Sequence, residues 1–152
     1  MKNITIREAK TKGEFKAVFR LRKDVFVDEQ KIFSESDRDE HDNQSICLIA
    51  EIGNEIIGTV RMYPEENNKL IGGRLAVQKK YRGSNAATLL VKEAVRLVKS
   101  KSASQFTASI QLKNVGFFKR LGWESIGTVF NYQGIPHQLM AADFALNRQD
   151  KN

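Results

Sequence analysis

Leu75-Ala76-Val77-Gln78-Lys79-Lys80-Tyr81-Arg82-Gly83-Ser84-Asn85-Ala86-Ala87-Thr88-Leu89-Leu90 reads as three things in succession. An apolar strand end leads into a short basic loop, and the loop opens a helix whose apolar residues recur at helical spacing. The first amides of a helix have no carbonyl partner within it, and the helix dipole adds positive charge at the same end. With Arg82 beside them, the N–H groups of Gly83, Ser84, Asn85, Ala86 and Ala87 form a place for a phosphate or pyrophosphate. Small residues at 83, 84, 86 and 87 let a bulky anion approach the backbone. Two common phosphate loops are excluded, because Gly-x-Gly-x-x-Gly is absent and no Gly-Lys-Ser/Thr follows.

On either side of this stretch the pattern alternates between strands and helices. Ile4-Thr5-Ile6-Arg7 alternates as a first strand. Thr11 is placed to cap a helix running to about Glu29, with Phe15, Val18, Phe19, Leu21, Val25 and Phe26 mostly at helical spacing. Gln30 to Gln44 is poor in apolar residues and is expected to be a loop with one helical turn near Phe33. Ser45 to Ile52 and Glu55 to Tyr63 read as two strands around Gly53-Asn54, with Pro64 stopping the second. Leu70 to Val77 is the next strand, and Gly72-Gly73 marks a bulge or a close backbone approach.

The helix after the loop spans Ser84 to Val98, with Ala87, Leu90, Val91, Ala94, Val95 and Val98 on its inner face. Phe106 to Leu112 is a strand, Asn114 to Leu121 a short helix closed by Gly122, and Trp123 to Tyr132 and His137 to Phe144 a final strand pair around Gly134. The order β-α-β-β-β-α-β-α-β-β describes an α+β domain with a mixed central sheet of about seven strands flanked by helices. One domain over residues 1–146 and a polar tail over 147–152 are expected.

The formal charge of +7 and pI near 9.6 permit a nucleic-acid ligand as readily as a small polyanion. Distribution separates the two. From Arg74 to Lys101 the chain is basic with Glu93 the lone acid, whereas Asp24 to Asp42 is acid-rich. A bipolar chain argues against a nucleic-acid surface. The acids read instead as drawing a cationic amine toward the site. His41 lies among Asp37, Asp39 and Asp42, but the glycine and closing glutamate of a calcium loop are missing, and no metal is expected. The single Cys47, in the apolar run Ile46-Cys47-Leu48-Ile49-Ala50, reads as a buried structural thiol and a poor nucleophile. Met1-Lys2-Asn3-Ile4 has no signal-peptide pattern and no apolar run approaches a membrane span, so a cytoplasmic protein without membrane contact is expected.

Leu-Ala-Val followed by Tyr-Arg-Gly-x-Asn-x-Ala resembles motif A of the GNAT superfamily of N-acetyltransferases, whose usual pattern is Arg-Gly-x-Gly-x-Gly/Ala. Arg82, Gly83 and Ala87 match, and Asn85 stands for the second glycine. Asparagine tolerates positive φ better than other residues after glycine, so that change is mild. The resemblance covers about Ile4 to Phe144 and implies the GNAT-like acyl-CoA N-acyltransferase fold. It also implies acetyl-CoA as co-substrate, its pyrophosphate on the loop from Arg82 to Ala87 and its thioester along Leu75, Ala76 and Val77.

Gln111 to Trp123 resembles the family motif in which a strand, a short helix and Tyr-x-x-Leu-Gly-Phe form the other wall of the coenzyme cleft. That implies coenzyme contacts from Asn114, Phe117 and Phe118. Phe118 stands where many members carry the tyrosine that protonates the departing thiolate, and phenylalanine cannot donate. Leu21-Arg22-x-x-Val25-Phe26-Val27-x-Glu29-Gln30 and Gly134-Ile135-Pro136-His137-x-x-Met140 look like the ElaA-like group. Ile110 to Val115 with Pro136 to Met140 is similar to the branch labelled nitrogen-starvation acetyltransferases.

The catalytic candidates are His137, the side chain best matched to proton transfer near neutral pH, and Glu29. Glu29 could instead pair with Arg22 or Arg74. Those two arginines are the candidates for substrate contact, Arg74 by anchoring an acidic site residue or an anionic substrate group. The expected function is transfer of acetyl from acetyl-CoA to a primary amine of a small molecule by direct attack, in a monomer or homodimer. A coenzyme-binding sensor without transferase activity and an enzyme for another acyl donor are the alternatives.

Overall fold

Residues 3–144 are described by a computed structural model; the expected tail at 147–152 lies outside them. Thr11 caps the first helix in a full capping box: Glu14 N–H donates to Thr11 Oγ1, and the Thr11 N–H donates to the Glu14 carboxylate. That helix, α1 (Lys12–Arg22), continues without a break into a π-helical segment, Lys23–Glu29. The helix expected to reach Glu29 therefore does so, but its last turns are wider. Lys31 ends it in a left-handed conformation (φ 56°). The helical turn expected near Phe33 lies later, as a 3-10 turn over Glu40–Gln44.

The strands are β1 (Ile4–Glu8), β2 (Ile46–Ile52), β3 (Glu55–Glu65), β4 (Lys69–Val77), β5 (Gln105–Gln111), β6 (Trp123–Tyr132) and β7 (Ile135–Ala142), joined in the order β1-β2-β3-β4-β5-β7-β6. Two further helices, α2 (Ala86–Ser100) and α3 (Val115–Arg120), flank β5 in sequence. The seven-stranded mixed sheet expected from the pattern is thus present. β3 runs through Pro64, which was expected to stop it. β2 ends opposite Met62, so beyond that point β3 has a partner on one side only and a missing N–H disrupts no ladder.

The sheet has one parallel junction, β4 with β5, and α2 makes the crossover. The pairing covers only Lys69–Gly72 against Gln105–Ala108; β4 then continues to Val77 and β5 to Gln111 unpaired with each other. Two residues shape this parting. The bulge falls at Arg74 and Leu75, which together oppose Val60, and Arg74 has φ 54°. Gly72 is the close approach: a Cβ there would lie 2.8 Å from the Phe106 ring. Gly72→Ala is expected to destabilise the fold by about 1–3 kcal/mol, because Phe106 is locked in the core. A urea midpoint unchanged from wild type would contradict this.

Each face of the sheet has its own helical cover. On one, α2 presents Leu90, Val91, Ala94, Val95 and Val98 to Leu48, Ile57, Met62, Phe106 and Trp123. Ala86, rather than the expected Ala87, heads that buried stripe, because the helix begins two residues later than its pattern suggested. On the other face Val18 packs on Cys47 and Ile49, while Leu21, Val25 and Phe26 pack on Ala76. Burial pushes the Cys47 thiol up from its ordinary pKa, in keeping with a structural role. Among the described residues no helix is long and apolar enough to cross a membrane.

Candidate active site

Where β4 and β5 part, a cavity of about 470 Å³ runs through the sheet. Val91 of α2 and Phe118 of α3 line one end, and Phe33, Arg74, Tyr132 and His137 line the other. Past Gly72 the β4 backbone facing β5 has no strand partner among the described residues, so main-chain groups are left along the edge that carries Leu75. Gln111 Nε2 donates to Gln30 Oε1 (3.1 Å), tying the free end of β5 to the segment after the π-helical turns. Ala76 and Val77 are buried, one beneath each helical cover, and can offer the cavity only backbone.

The basic loop follows directly from β4. A 3-10 turn over Lys79–Tyr81 leads to Ser84, whose N–H donates to Tyr81 O and whose Oγ caps the Ala86 N–H. The first helical bond of α2 runs from the Leu89 N–H to Asn85 O. The N–H groups of Gly83, Asn85 and Ala87 have no partner among the described residues, so three donors converge at the head of a 15-residue helix. Asn85 has φ −94° and needs no left-handed tolerance, which corrects the reason given for its replacing glycine. Gly83 is likewise outside the left-handed region, and a Cβ there would meet nothing within 4 Å.

Arg82 lies at this loop but its guanidinium is turned back. Nε donates to Val77 O (3.1 Å), and the two terminal nitrogens form a forked pair with Glu29 at 2.5 and 2.6 Å. Glu29 therefore pairs with Arg82 rather than with Arg22 or Arg74. The Arg82 hydrogen bonds hold the Glu29 carboxyl below its ordinary pKa.

His137 sits on the other side of the cavity, 4% exposed. Its Nδ1 is 2.7 Å from Ile135 O. A carbonyl only accepts, so Nδ1 carries the hydrogen and the neutral ring keeps its lone pair on Nε2. Tyr132 meets the ring edge-on at 5.3 Å, and Phe130 lies 6.0 Å away. Phe118, 6% exposed, packs edge-to-face on Phe117 and Trp123 and turns only hydrocarbon to the cavity. Asn114 lines the cavity, while Phe117 packs against the core.

Residues 17–144 match the acetyltransferase (GNAT) domain family. The chain belongs to the GNAT family. It is 28% identical over 136 residues to YjcF of Bacillus subtilis, an uncharacterized N-acetyltransferase, covering 89% of this chain and 96% of that one. The crystal structure of Escherichia coli ElaA superposes with a TM-score of 0.81 at 19% identity, over 94% of this chain and 100% of that one. A GNAT acetyltransferase from Elizabethkingia anophelis, solved with acetyl-CoA bound, gives 0.71 at 17% identity over 93% and 98% of the two chains.

In this GNAT chain the loop between the π-helical segment and β2 is fastened by an arginine–aspartate cluster. Arg22 is 0% exposed and bonds Asp37 (2.6 Å) and Asp42 (2.8 and 3.1 Å). Arg61 forks onto Asp39 and reaches Asp42, and Arg74 bonds the Asp37 carbonyl, the Asp37 carboxylate and Asp39. Two expectations change. Arg22 is sealed beneath the loop and cannot touch a substrate there, since its donors are spent on carboxylates. Of the acids expected to draw a cationic amine, Asp37, Asp39 and Asp42 are neutralised by the three arginines. Arg74 takes the first of its two expected roles, anchoring acidic site residues, which also holds it in its left-handed bulge conformation. Arg61 completes the cluster; its signal in the sequence is a charge in the apolar strand Ile56 to Tyr63, where burial demands a partner.

Arg22→Met is expected to lower stability by about 3–5 kcal/mol, since Asp37 would be left buried beside no other charge than Arg74. The measurement is chemical denaturation at pH 7. The cluster also sets an acid limit. Burial raises the Asp42 carboxyl, but bonds from Arg22, the Asp39 N–H and Arg61 outweigh it and hold it well below its ordinary value; Asp39 is lowered in the same way, chiefly by Arg61. Depressed folded values mean that the stability is fully present above the unfolded pKa of about 4 and is lost as pH falls below it. Arg22→Met should flatten that acid loss.

Proposed function

We propose that the chain acetylates a primary amine of a small molecule, using acetyl-CoA, by direct attack in a ternary complex. The observation that carries this is the set of N–H groups of Gly83, Asn85 and Ala87 at the start of α2, which have no partner among the described residues and follow directly from the strand that parts from β5. The residues suit the coenzyme. Open space at Gly83 lets an anion reach the backbone, and Lys79 and Lys80 add positive charge, while Arg82 is already paired with Glu29. Bound there, acetyl-CoA supplies an acetyl thioester.

The chain's own groups do the rest. The loop amides hold the pyrophosphate, and the wall of Asn114, Phe117 and Phe118 flanks the pantetheine arm. A backbone N–H on the free edge of β4, among Leu75, Ala76 and Val77, stabilises negative charge developing on the carbonyl oxygen. His137 Nε2 takes the proton of the amine, whose attack forms a C–N bond as the C–S bond breaks; the proton then returns to the leaving sulfur directly or through water. Glu29, held ionised by Arg82, is the weaker base and acts in this reading to position Arg82. The acceptor is a small molecule and not a nucleic acid, and the reaction belongs in the cytoplasm.

Phe118 favours a second reading, a sensor that binds the coenzyme and transfers nothing. Calorimetric titration with acetyl-CoA followed by thiol release over an amine panel separates them. Binding with amine-dependent release supports the transferase, binding without release supports the sensor, and no binding overturns both.

A further inference from the structure

The acceptor end of the cavity has a chemical character of its own. Phe33 and Tyr132 meet edge-to-face with centroids 6.4 Å apart, and Tyr132 leads on to His137 at 5.3 Å. Lining the same cavity, His41 stacks flat on Tyr63, 4.0 Å apart and 8° from parallel. Two aromatic pairs thus line the cavity that holds His137.

Charge narrows the class further. The acids lining this cavity are Asp39 and Glu40. Asp39 is neutralised by Arg61 and Arg74, leaving Glu40, whose neighbour His41 is 3.5 Å away. One carboxylate that no arginine holds suits one ammonium. A polyamine or an amino sugar carrying several ammonium groups would need more acids than the arginine–aspartate cluster leaves available. An acceptor with its own carboxylate would meet Arg74 already engaged by Asp37 and Asp39.

We infer, building on acetyl transfer as read above, that the acceptor is a monoamine carried on a flat aromatic body, an arylalkylamine. The ring lies between the walls of Phe33 with Tyr132 and Tyr63 with His41, and the amine reaches His137 Nε2. The ammonium passes one proton to His137 Nε2, which returns it to the leaving sulfur; the C–N bond forms as the C–S bond breaks, and the second nitrogen proton is lost to solvent, so the products are the N-acetylated arylalkylamine, free CoA thiol and one proton.

The test uses the whole chain with acetyl-CoA and four acceptors: phenethylamine, tryptamine, spermidine and L-lysine. The arylalkylamines should show kcat/KM at least about tenfold above the other two. Tyr132→Ala, an exposed position on an edge strand, should raise KM for phenethylamine about tenfold while leaving the calorimetric Kd for acetyl-CoA unchanged. Preference for spermidine or lysine, acetylation of none of the four, or an unchanged amine preference in Tyr132→Ala overturns the acceptor class alone, provided acetyl-CoA binds. Failure to bind acetyl-CoA overturns the transferase reading and this inference with it.

Discussion

Gly83→Val is expected to weaken acetyl-CoA binding by about 100-fold while leaving the melting temperature of the free protein unchanged. The two halves of this expectation have separate grounds. Gly83 is not in a left-handed conformation, and a Cβ there meets no atom within 4 Å, so nothing within the fold demands glycine. Unfolding should therefore be indifferent to the change. An anion seated on the amides of Gly83, Asn85 and Ala87 must come within about 3 Å of the backbone, which a branched side chain prevents. Losing one or two hydrogen bonds to a charged group, at about 1.5–3 kcal/mol each, gives the stated factor. Isothermal titration beside a thermal melt checks both halves. Unchanged affinity would show that the coenzyme does not lie on this loop.

Arg82→Glu is a less clean probe of the same site. It would set a carboxylate against Glu29 and remove the bond to Val77 O, so lost binding could reflect a rearranged loop. That ambiguity follows from a contact between residues 53 positions apart, which no local pattern encodes. The loop itself was legible because its cause is local: a strand end, small residues and a helix start lie within one short stretch. The element order was legible for the same reason, since period and turn residues act over a few positions. Thr11 with Glu14 shows this at a single helix end.

Arrangements resting on distant partners were not legible. Gly72-Gly73 was expected to mark a bulge or a close approach; Gly72 is the close approach, and the bulge sits beside it at Arg74, whose strained backbone is stabilised by Asp37 and Asp39 from another segment. Arg22 read as a substrate contact and the acids as a lure for a cationic amine, because sequence shows composition and not pairing. Brought together they form a buried neutral cluster that fastens the loop bordering the acceptor end of the cavity. Of the acids that line the cavity, this leaves Glu40 as the one that no arginine holds.

His137→Gln is expected to lower kcat by about 100-fold or more at pH 7 with the Kd for acetyl-CoA unchanged. Glutamine can still donate an amide N–H toward Ile135 O, so the fold has reason to survive, and a thermal melt verifies it. What glutamine lacks is the basic lone pair that His137 carries on Nε2. The deficit should therefore depend on pH in a particular way. An alkyl amine is almost wholly protonated at pH 7, with a pKa near that of lysine at about 10.4, and needs a base to become nucleophilic. As pH rises toward that value the free amine forms without help, and the ratio of wild-type to variant kcat/KM should shrink toward one. A residue that only shaped the cavity would leave a deficit constant across the same range, so a flat ratio between pH 7 and 10 would remove His137 from proton transfer and leave water alone to deprotonate the amine.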